Sequence, residues 1–352
     1  MKLIQTVDAE GAVLCHDITQ IIKGVTKDTV FRKGHVVTKE DIPVLLSVGK
    51  DQLYVWEKEE GMLHENDGAE ILCAMCKGRN MERTQAKEGK IELIAACDGL
   101  LKVDNRGLKA VNGFGQMMIA TRHGNFPVKK GDKLAGTRIV PLTIEEEKME
   151  AVRKAAREAT GGRPILDLKP FVHKKVGIIT TGNEVYYGRI KDTFTPVIVE
   201  KVKEFDTEIL DHVIWNDDDT RVTDSILEMI QKGADVVICT GGMSVDPDDK
   251  TPLAIRNTGA HIVSYGAPVL PGAMFLLAYY EVKEGDRTRT AAIMGLPGCV
   301  MYAKKTIFDL VLPRVMADDP VTSEDLAALG QGGLCLSCPV CTFPNCGFGK
   351  GV

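Results

Sequence analysis

The chain has 352 residues, of which 44% are apolar, and it carries a formal net charge of −5 at pH 7. This length is enough for two or three domains, and this apolar content excludes a wholly disordered chain. The acidic balance argues against nucleic acid as a main partner, and no apolar run is long enough to cross a membrane. There is no signal-peptide pattern, so we expect a cytoplasmic protein whose ten cysteines serve packing or metal binding.

Residues 1–57 predict short strands and turns around one helix. Pro43 falls in the first turn of that helix, where it is tolerated, and Gly49 ends it. A second helix over 66–79 contains Cys73-Ala-Met-Cys76, a spacing that can form half of a redox or metal site. No second cysteine pair lies nearby, and both thiols fall on the apolar face, so we interpret them as buried packing residues.

Residues 90–142 are interrupted by Asp98-Gly, Asn105-Arg-Gly and Asn112-Gly, a rhythm typical of β-hairpins. Thr143-x-x-Glu146 has the form of a capping box and predicts a helix to about residue 159. A domain boundary is therefore expected near residue 170, after a β-rich N-terminal region. The predicted division is residues 1–170, 171–317 and 318–352.

From residue 176 onward, strands, loops and helices alternate, as in an α/β domain. The stretches 176–185, 235–249 and 293–298 each contain an apolar run followed by a Gly-rich turn. Unbroken apolar runs suit parallel strands that are buried on both faces. Ligands of open α/β sheets bind beyond the carboxyl ends of such strands, so these three turns predict one composite site.

The turns carry groups suited to a phosphate ligand and a hard cation. Backbone amides at Gly182, Gly241 and Gly242 can approach phosphate closely because no Cβ intervenes. Hydroxyl and carboxylate oxygens are the ligands that Mg²⁺ prefers, and here they are supplied by Ser244, Asp246, Asp248 and Asp249. The same side chains can also cap a helix beginning near Thr251, and the two interpretations are compatible.

A second acidic run, over 216–219, has two interpretations of equal weight. It can contact a metal or ribose, or it can cap the helix predicted over 220–232.

Three motifs in order resemble the molybdopterin-binding domain of molybdenum cofactor biosynthesis proteins, in particular that of the MoeA-type molybdenum insertases. They are Thr181-Gly-Asn-Glu184, Thr240-Gly-Gly-Met-Ser-Val245 with Asp249, and Leu296-Pro-Gly298. The resemblance covers about residues 172–312. The sequence departs from the usual insertase pattern in having Asn183 in place of Asp, Ala273 in place of Lys, and Cys299-Val300 in place of Asn-Pro.

The resemblance implies a three-layer domain with a mostly parallel sheet. It also implies a transferase that binds molybdopterin or its adenylate, uses Mg²⁺, and cleaves the adenylate as molybdate enters. Asp249 would orient metal or water, and Glu184 would hold the loop or the ligand. The family also places an acidic residue near the cofactor after the strand that ends near residue 215, which makes Asp217 a candidate site residue. The other residues expected to bind the cofactor are Thr181, Gly182, Asn183, Thr240, Gly241, Gly242, Ser244, Asp246, Asp248, Pro297 and Gly298. The expected partners are the pterin substrate and molybdate, a second copy in a homodimer, and other cofactor-biosynthesis proteins, but no nucleic acid or membrane.

Two alternatives remain open. A related fold serves the adenylyltransferase that makes the adenylated pterin, and detecting AMP addition instead of AMP release would identify it. The changes at Asn183 and Cys299 are also compatible with a non-catalytic pterin sensor or carrier.

The tail places Cys335, Cys338, Cys341 and Cys346 within twelve positions, spaced C-x₂-C-x₂-C-x₄-C. Four thiolates this close can hold one Zn²⁺ ion or an iron–sulfur cluster. The alternative is a flexible tail of reactive thiols that binds no metal. Residues 320–334 are polar and Gly-rich and predict a flexible linker. The cysteine segment is therefore expected to be independent of the core.

Overall fold

The computed structural model describes residues 2–22, 26–55, 60–244, 246, 249–285 and 287–351. The chain forms two compact units. The first comprises residues 1–96, 103–122 and 130–167, and the second comprises residues 97–102, 123–129 and 168–352. This division differs from the predicted ranges, because two short segments of the N-terminal region and the whole tail belong to the second unit.

The first half of the chain is rich in short strands. The strands are β1 (Lys2–Gln5), β2 (Ile18–Ile22), β3 (Thr26–Phe31), β4 (Gln52–Val55), β5 (Met62–His64), β6 (Met81–Arg83), β7 (Lys90–Ala95), β8 (Gly99–Val103), β9 (Met117–Thr121), β10 (Pro127–Val128), β11 (Lys133–Ile139), β12 (Thr143–Glu145) and β13 (Leu166–Pro170). The helices are α1 (Asp41–Ser47), α2 (Glu65–Cys76), α3 (Asn105–Asn112) and α4 (Glu146–Thr160).

These strands form small sheets, which confirms the β-rich N-terminal region. In the first unit β1 pairs with β4, β2 with β3 and β5 with β12, while a larger sheet has the order β6-β7-β11-β9. The recorded pairings in these sheets are antiparallel. Strands β10, β8 and β13 form a further sheet, built mainly from segments of the second unit.

The first two helices and the packing role of the cysteine pair are confirmed. Cys73 and Cys76 lie on α2 with exposed fractions of 2% and 0%. Burial, with a smaller contribution from the neighbouring Cys73, raises the pKa of the Cys76 thiol to about 12. Neither thiol therefore suits metal binding or redox chemistry in this fold.

The hairpin prediction for 90–142 is wrong at one point, where Asn105-Arg-Gly begins helix α3. The Asp104 carboxylate accepts hydrogen bonds from the backbone N–H groups of Arg106 and Gly107, at 3.0 and 3.2 Å, and so caps the helix. Gly107 serves close packing, because a Cβ there would lie 2.4 Å from a methyl carbon of Thr160.

The capping-box prediction at Thr143 is also wrong, although the helix that was predicted to follow it is present. Residues Thr143–Glu145 form strand β12, which pairs with β5, and α4 begins at Glu146. The residue before the helix, Glu145, makes no side-chain capping bond. Pairing with β5 thus takes precedence over the local capping pattern.

The second half of the chain alternates strands and helices. The strands are β14 (Lys174–Thr181), β15 (Thr207–Trp215), β16 (Val236–Thr240), β17 (His261–Tyr265), β18 (Leu276–Glu284) and β19 (Arg287–Leu296). The helices are α5 (Asn183–Tyr186), α6 (Phe194–Val202), α7 (Asp219–Gln231), α8 (Thr251–Asn257), α9 (Ile307–Met316) and α10 (Ser323–Ala328).

These six strands form one sheet in the order β15-β14-β16-β19-β18-β17. Pairing is parallel from β15 to β19, and β18 runs antiparallel to both of its neighbours. The expected mostly parallel sheet is therefore confirmed. Strand β16 lies inside the sheet, and each of its residues is buried, as its unbroken apolar run predicted.

Helices cover both faces of this sheet and produce three layers. Val236 and Ile238 of β16 belong to a core cluster that includes side chains of α6 and α9. Val237 and Cys239 belong to a second cluster, with side chains of α7 and α8. Successive side chains of a strand point to opposite faces, so one buried strand supports both layers.

The tail differs from its prediction. The last helix of the domain, α9, begins at Ile307, and Thr306 caps it. The predicted linker contains α10, and Thr322 and Asp325 form a reciprocal capping box at its start. Phe348, near the end of the chain, has an exposed fraction of 4% and lies in the same core cluster as α9. The tail is therefore packed on the second unit. Among the described residues, no helix is long and apolar enough to cross a bilayer.

Candidate functional site

Three parallel strands end together at one edge of the sheet. In the strand register, Thr180 of β14 is opposite Thr240 of β16, which in turn is opposite Leu296 of β19. The loops that leave these strands therefore begin side by side. This is the edge at which open α/β sheets bind ligands.

Two glycines bring the central loop close to its neighbours. Gly241 has φ +84°, and a Cβ there would lie 2.1 Å from the carbonyl oxygen of Thr181. Gly242 has φ +54°, and its Cβ would lie 2.9 Å from the hydroxyl of Thr251. Both positions require glycine, because they combine a left-handed backbone with no room for a side chain. The close approach of the β14 and β16 loops thus depends on this Gly-Gly pair.

A cavity of about 490 Å³ opens at this edge. The predicted site residues that line it are Thr181, Glu184, Gly241, Gly242, Ser244, Asp249, Pro297 and Gly298. All three predicted loops contribute, so the structure brings the composite site together within the second unit.

Other predicted site residues are not among those lining the cavity. They are Gly182, Asn183, Thr240 and Asp246, while Asp248 is outside the described residues. Thr240 is fully buried, and its carbonyl accepts a hydrogen bond from the Thr181 hydroxyl at 3.2 Å. Thr240 and Thr181 therefore hold the strand ends together.

The loop after β16 is held by the carboxylate of Asp249. Its Oδ2 accepts a hydrogen bond from the backbone N–H of Ser244 at 3.0 Å. The Tyr265 hydroxyl donates to the carbonyl of Met243, one residue earlier, at 2.9 Å. Burial raises the pKa of Tyr265, and the charge of Asp249 adds to the shift, so the phenol stays a proton donor near neutral pH.

Sequence reasoning missed the segment before α6. Lys191, Asp192 and Thr193 line the cavity, together with Met274, Cys299 and Tyr302. Asp192 Oδ1 accepts from the backbone N–H groups of Phe194 and Thr195, at 2.8 and 3.1 Å. An Asp two residues before Phe194 is a capping signal that could have been read, but its position beside the cavity depends on tertiary packing.

Asp192 also faces a histidine on the edge strand. His212 Nε2 lies 3.7 Å from Asp192 Oδ2 and 3.2 Å from the Thr180 hydroxyl. Burial raises the pKa of Asp192, but hydrogen bonds from Thr195 and Phe194 and the charge of His212 lower it by more. The Asp192 side chain therefore lines the cavity as an ionised carboxylate near neutral pH.

Two carboxylates of the acidic run after β15 have different roles. The Asp218 carboxylate caps α7, as the capping interpretation predicted. Asp217 Oδ2 accepts a hydrogen bond from the backbone N–H of Asn183 at 3.2 Å. Asp217 thus positions the loop after β14.

The four tail cysteines line another cavity in the second unit, of about 580 Å³. Among the described residues, no group of three or more His, Cys, Asp or Glu side chains is arranged to hold a single metal ion. Tyr302 lines both this cavity and the one at the sheet edge.

Comparison with known proteins identifies the α/β domain. Residues 177–317 match the family model described as "Probable molybdopterin binding domain". Residues 177–317 belong to the molybdopterin-binding domain family. All three predicted loops lie within this molybdopterin-binding domain. Residues 3–57 match a separate family model, described as a domain of unknown function, DUF8806.

Individual relatives are distant and partial. A molybdopterin molybdenumtransferase of Haemophilus influenzae is 26% identical over 197 residues, covering 53% of this chain and 43% of that protein. A CinA-like protein of Mycobacterium tuberculosis is 30% identical over 93 residues, covering 26% of this chain and 22% of that protein. The chain thus spans less than half the length of either relative. The crystal structure of the tungsten cofactor synthesizing protein MoaB from Pyrococcus furiosus matches at 21% identity and a TM-score of 0.31, covering 42% of this chain and 89% of that one.

Proposed function

We propose that this protein binds molybdopterin or its adenylate in the cavity at the sheet edge and transfers molybdate into it. One observation carries the proposal: the loops after β14, β16 and β19 line one cavity in a domain of the molybdopterin-binding family. The similarity to a molybdopterin molybdenumtransferase, although partial, supports a transferase. The reaction would release AMP as molybdate enters the dithiolene.

The loop after β16 would bind the phosphate groups of the pterin. Gly241 and Gly242 expose backbone there, and Ser244 adds an exposed hydroxyl. Lys191 is the only lysine or arginine among the described residues that line this cavity. Its positive charge would attract the phosphate and molybdate anions and would serve in place of the lysine that the insertases have where this chain has Ala273.

The residues present fit Mg²⁺. This cation is usually held by one or two carboxylates together with substrate phosphates, so it needs no complete protein cage. A carboxylate has two acceptor oxygens, so Asp249 can hold the Ser244 amide with one and Mg²⁺ with the other. Bound there, Mg²⁺ would neutralise charge on the phosphates as the adenylate bond breaks. Asp249 would fix the position of the Ser244 loop.

Two departures from the insertase pattern are compatible with turnover. The bond recorded at Asn183 comes from its backbone N–H, which Asp in the same place would also supply. Burial raises the pKa of the Cys299 thiol, although a bond to the backbone of Cys299 itself partly opposes this shift. Cys299 would therefore contact the ligand mainly as a neutral thiol near pH 7.

The proposal also covers the location, oligomeric state and partners of the protein. The net charge of −5 favours a small-molecule role over nucleic-acid binding. We place the protein in the cytoplasm as a homodimer that works with other cofactor-biosynthesis proteins. Sedimentation of the purified chain tests the dimer.

The deciding experiment supplies adenylated molybdopterin and molybdate, with and without Mg²⁺, and measures AMP. Release of AMP that requires both molybdate and Mg²⁺ is the expected result. Incorporation of AMP from ATP into free molybdopterin would instead identify an adenylyltransferase. Tight pterin binding with neither reaction would identify a carrier or sensor and would remove the transferase proposal.

A further inference from the structure

The tail cysteines surround a space that the proposed pterin chemistry does not use. All four of them, Cys335, Cys338, Cys341 and Cys346, line the cavity of about 580 Å³. We propose that this cavity holds a [4Fe–4S] cluster, with each of the four thiolates bound to one iron.

The cysteine loop is anchored at both of its ends. Before it, Leu334 forms a parallel β-bridge with Leu270, and the N–H of Cys335 donates to the carbonyl of Leu270 at 2.8 Å. After it, Phe348 is buried in the core and the N–H of Gly349 donates to the carbonyl of Gly332 at 3.0 Å. A loop closed in this way keeps its thiols around one space, which lowers the entropy cost of binding a cofactor.

The middle of the loop is held as well. The Lys304 ammonium donates to the carbonyl of Pro339 at 2.8 Å, between the second and third cysteines. The ring of Phe343 lies 5.5 Å from that of Phe126 and 6.1 Å from that of Phe348, measured between centroids. These contacts fix the loop on the second unit without using the thiols.

Size and spacing favour a cluster over a single zinc ion. A Cys₄ zinc site brings its four sulfurs to one ion at about 2.3 Å, whereas the four cysteines here line a cavity of about 580 Å³. A cubane cluster instead takes thiolates spread around a body several ångströms across. The sequence C-x₂-C-x₂-C is also the tight spacing of iron–sulfur proteins, with one extra residue before the fourth cysteine.

The charged residues that line the cysteine cavity also favour an iron–sulfur cluster. A [4Fe–4S]²⁺ core with four thiolates has a net charge of −2, and among the described lining residues the charged side chains are Lys304 and Lys305. Lys305 Nζ lies 5.3 Å from the centre of the Phe343 ring, which covers part of the same wall. The positive lysine side chains attract an anionic cluster, and the apolar ring limits the access of water to it.

Transfer of a preformed cluster tests the proposal without a redox step. A synthetic [4Fe–4S]²⁺ cluster carrying four small thiolates is mixed anaerobically with the reduced full-length protein. Each cysteine gives its proton to a departing thiolate, and one Fe–S bond forms as another breaks. We expect four irons and four sulfides per chain after desalting, with a broad visible absorption.

The test variant changes only exposed cysteines, so that folding is preserved. Cys338 and Cys341 are both exposed, and the double variant Cys338→Ser with Cys341→Ser should lose most of the bound iron. Cys97→Ser, which alters a cysteine outside the cavity, should bind as much iron as the unchanged protein. Circular dichroism checks that each variant is folded.

Three results would overturn the proposal. They are equal iron binding by the double variant, no cluster uptake by the unchanged protein, and one tightly held zinc per chain that excludes the cluster. None of these readouts depends on pterin turnover, so the test is separate from that of the proposed transferase.

Discussion

At the scale of single residues, the cavity at the sheet edge combines three features. Gly241 and Gly242 allow close backbone approach, Lys191 adds positive charge, and Asp249 holds the Ser244 amide. The three contributions can be tested separately, because different substitutions alter the backbone space, the charge and the position of the loop.

Asp249→Asn should reduce Mg²⁺-dependent AMP release by at least about tenfold, as expected when a metal ligand loses its charge. The amide can still accept the Ser244 hydrogen bond, so the fold and pterin binding should change little. Initial rates over a range of Mg²⁺ concentrations measure the effect. Asp224→Asn, on the exposed side of α7, is the matched control. An unchanged rate in Asp249→Asn would remove this residue from the mechanism.

Lys191→Ala should weaken binding of the phosphate-bearing pterin by roughly tenfold at low salt, and the loss should shrink as salt rises. Lys191→Arg keeps the charge and should retain most of the affinity. Titration calorimetry at two salt concentrations provides the measurement. Lys203→Ala alters another exposed lysine, outside the cavity, and should have no effect. Equal affinity for Lys191→Ala and the control would contradict the role of Lys191.

At the scale of elements, one buried carboxylate connects three parts of the second unit. Asp319 accepts from Lys102 of β8 at 2.8 Å, Lys169 of β13 at 2.6 Å and Arg314 of α9 at 2.7 Å. Burial raises the pKa of Asp319, but the lysine hydrogen bonds and the charge of Arg314 outweigh it and lower the pKa to about 2.

This network predicts an acid-dependent loss of stability. A carboxyl whose folded pKa is depressed contributes stability above its unfolded pKa, and it loses that stability as the pH falls through the folded value. For Asp319 the window runs from its ordinary value of 3.8 down to about 2. Across it, the unchanged protein should lose about 2 kcal/mol more unfolding free energy than Asp319→Asn. Denaturant unfolding at several pH values measures this, and Asp318→Asn, with 62% of its side chain exposed, is the control.

The tail is a second element whose loss should destabilise the unit. Phe348→Ala removes a buried ring and should cost about 3 to 5 kcal/mol of unfolding free energy. Val340→Ala changes a side chain that is 76% exposed and should cost almost nothing. Thermal or denaturant unfolding of both variants tests this. Equal stability of the two would restore the original expectation of an independent tail.

At the scale of the whole molecule, the features that depend on local sequence pattern could be predicted from the sequence. The unbroken apolar run of β16 indicated a central strand, and the Gly-rich turns indicated the site edge. The sequence did not predict that Phe348 returns to the core or that Lys191 and Asp192 reach the cavity. Both depend on contacts between residues distant in the chain, which leave no periodic signal. Helix α3 was missed because the residue types that cap a helix, such as Asp and Asn, are also the ones that favour turns.

A fragment that begins at residue 168 should be less stable than the same unit in the full chain. The second unit is built from three segments, and this fragment lacks residues 97–102 and 123–129. It therefore lacks Phe126, whose exposed fraction is 6% in the core cluster that includes α9, and Lys102, a partner of Asp319. Adding the missing segments through short linkers should recover stability. Comparable melting of the two fragments would show that the short segments contribute little.

Tyr302 borders both the sheet-edge cavity and the cysteine-lined cavity, and this arrangement has a thermodynamic consequence. If a group bound on one side shifts the preferred conformation of this ring, it changes the affinity on the other side. Linkage then requires the reverse effect to have the same factor. Pterin affinity measured with and without the tail cofactor, and cofactor affinity measured with and without pterin, would therefore report one and the same coupling free energy.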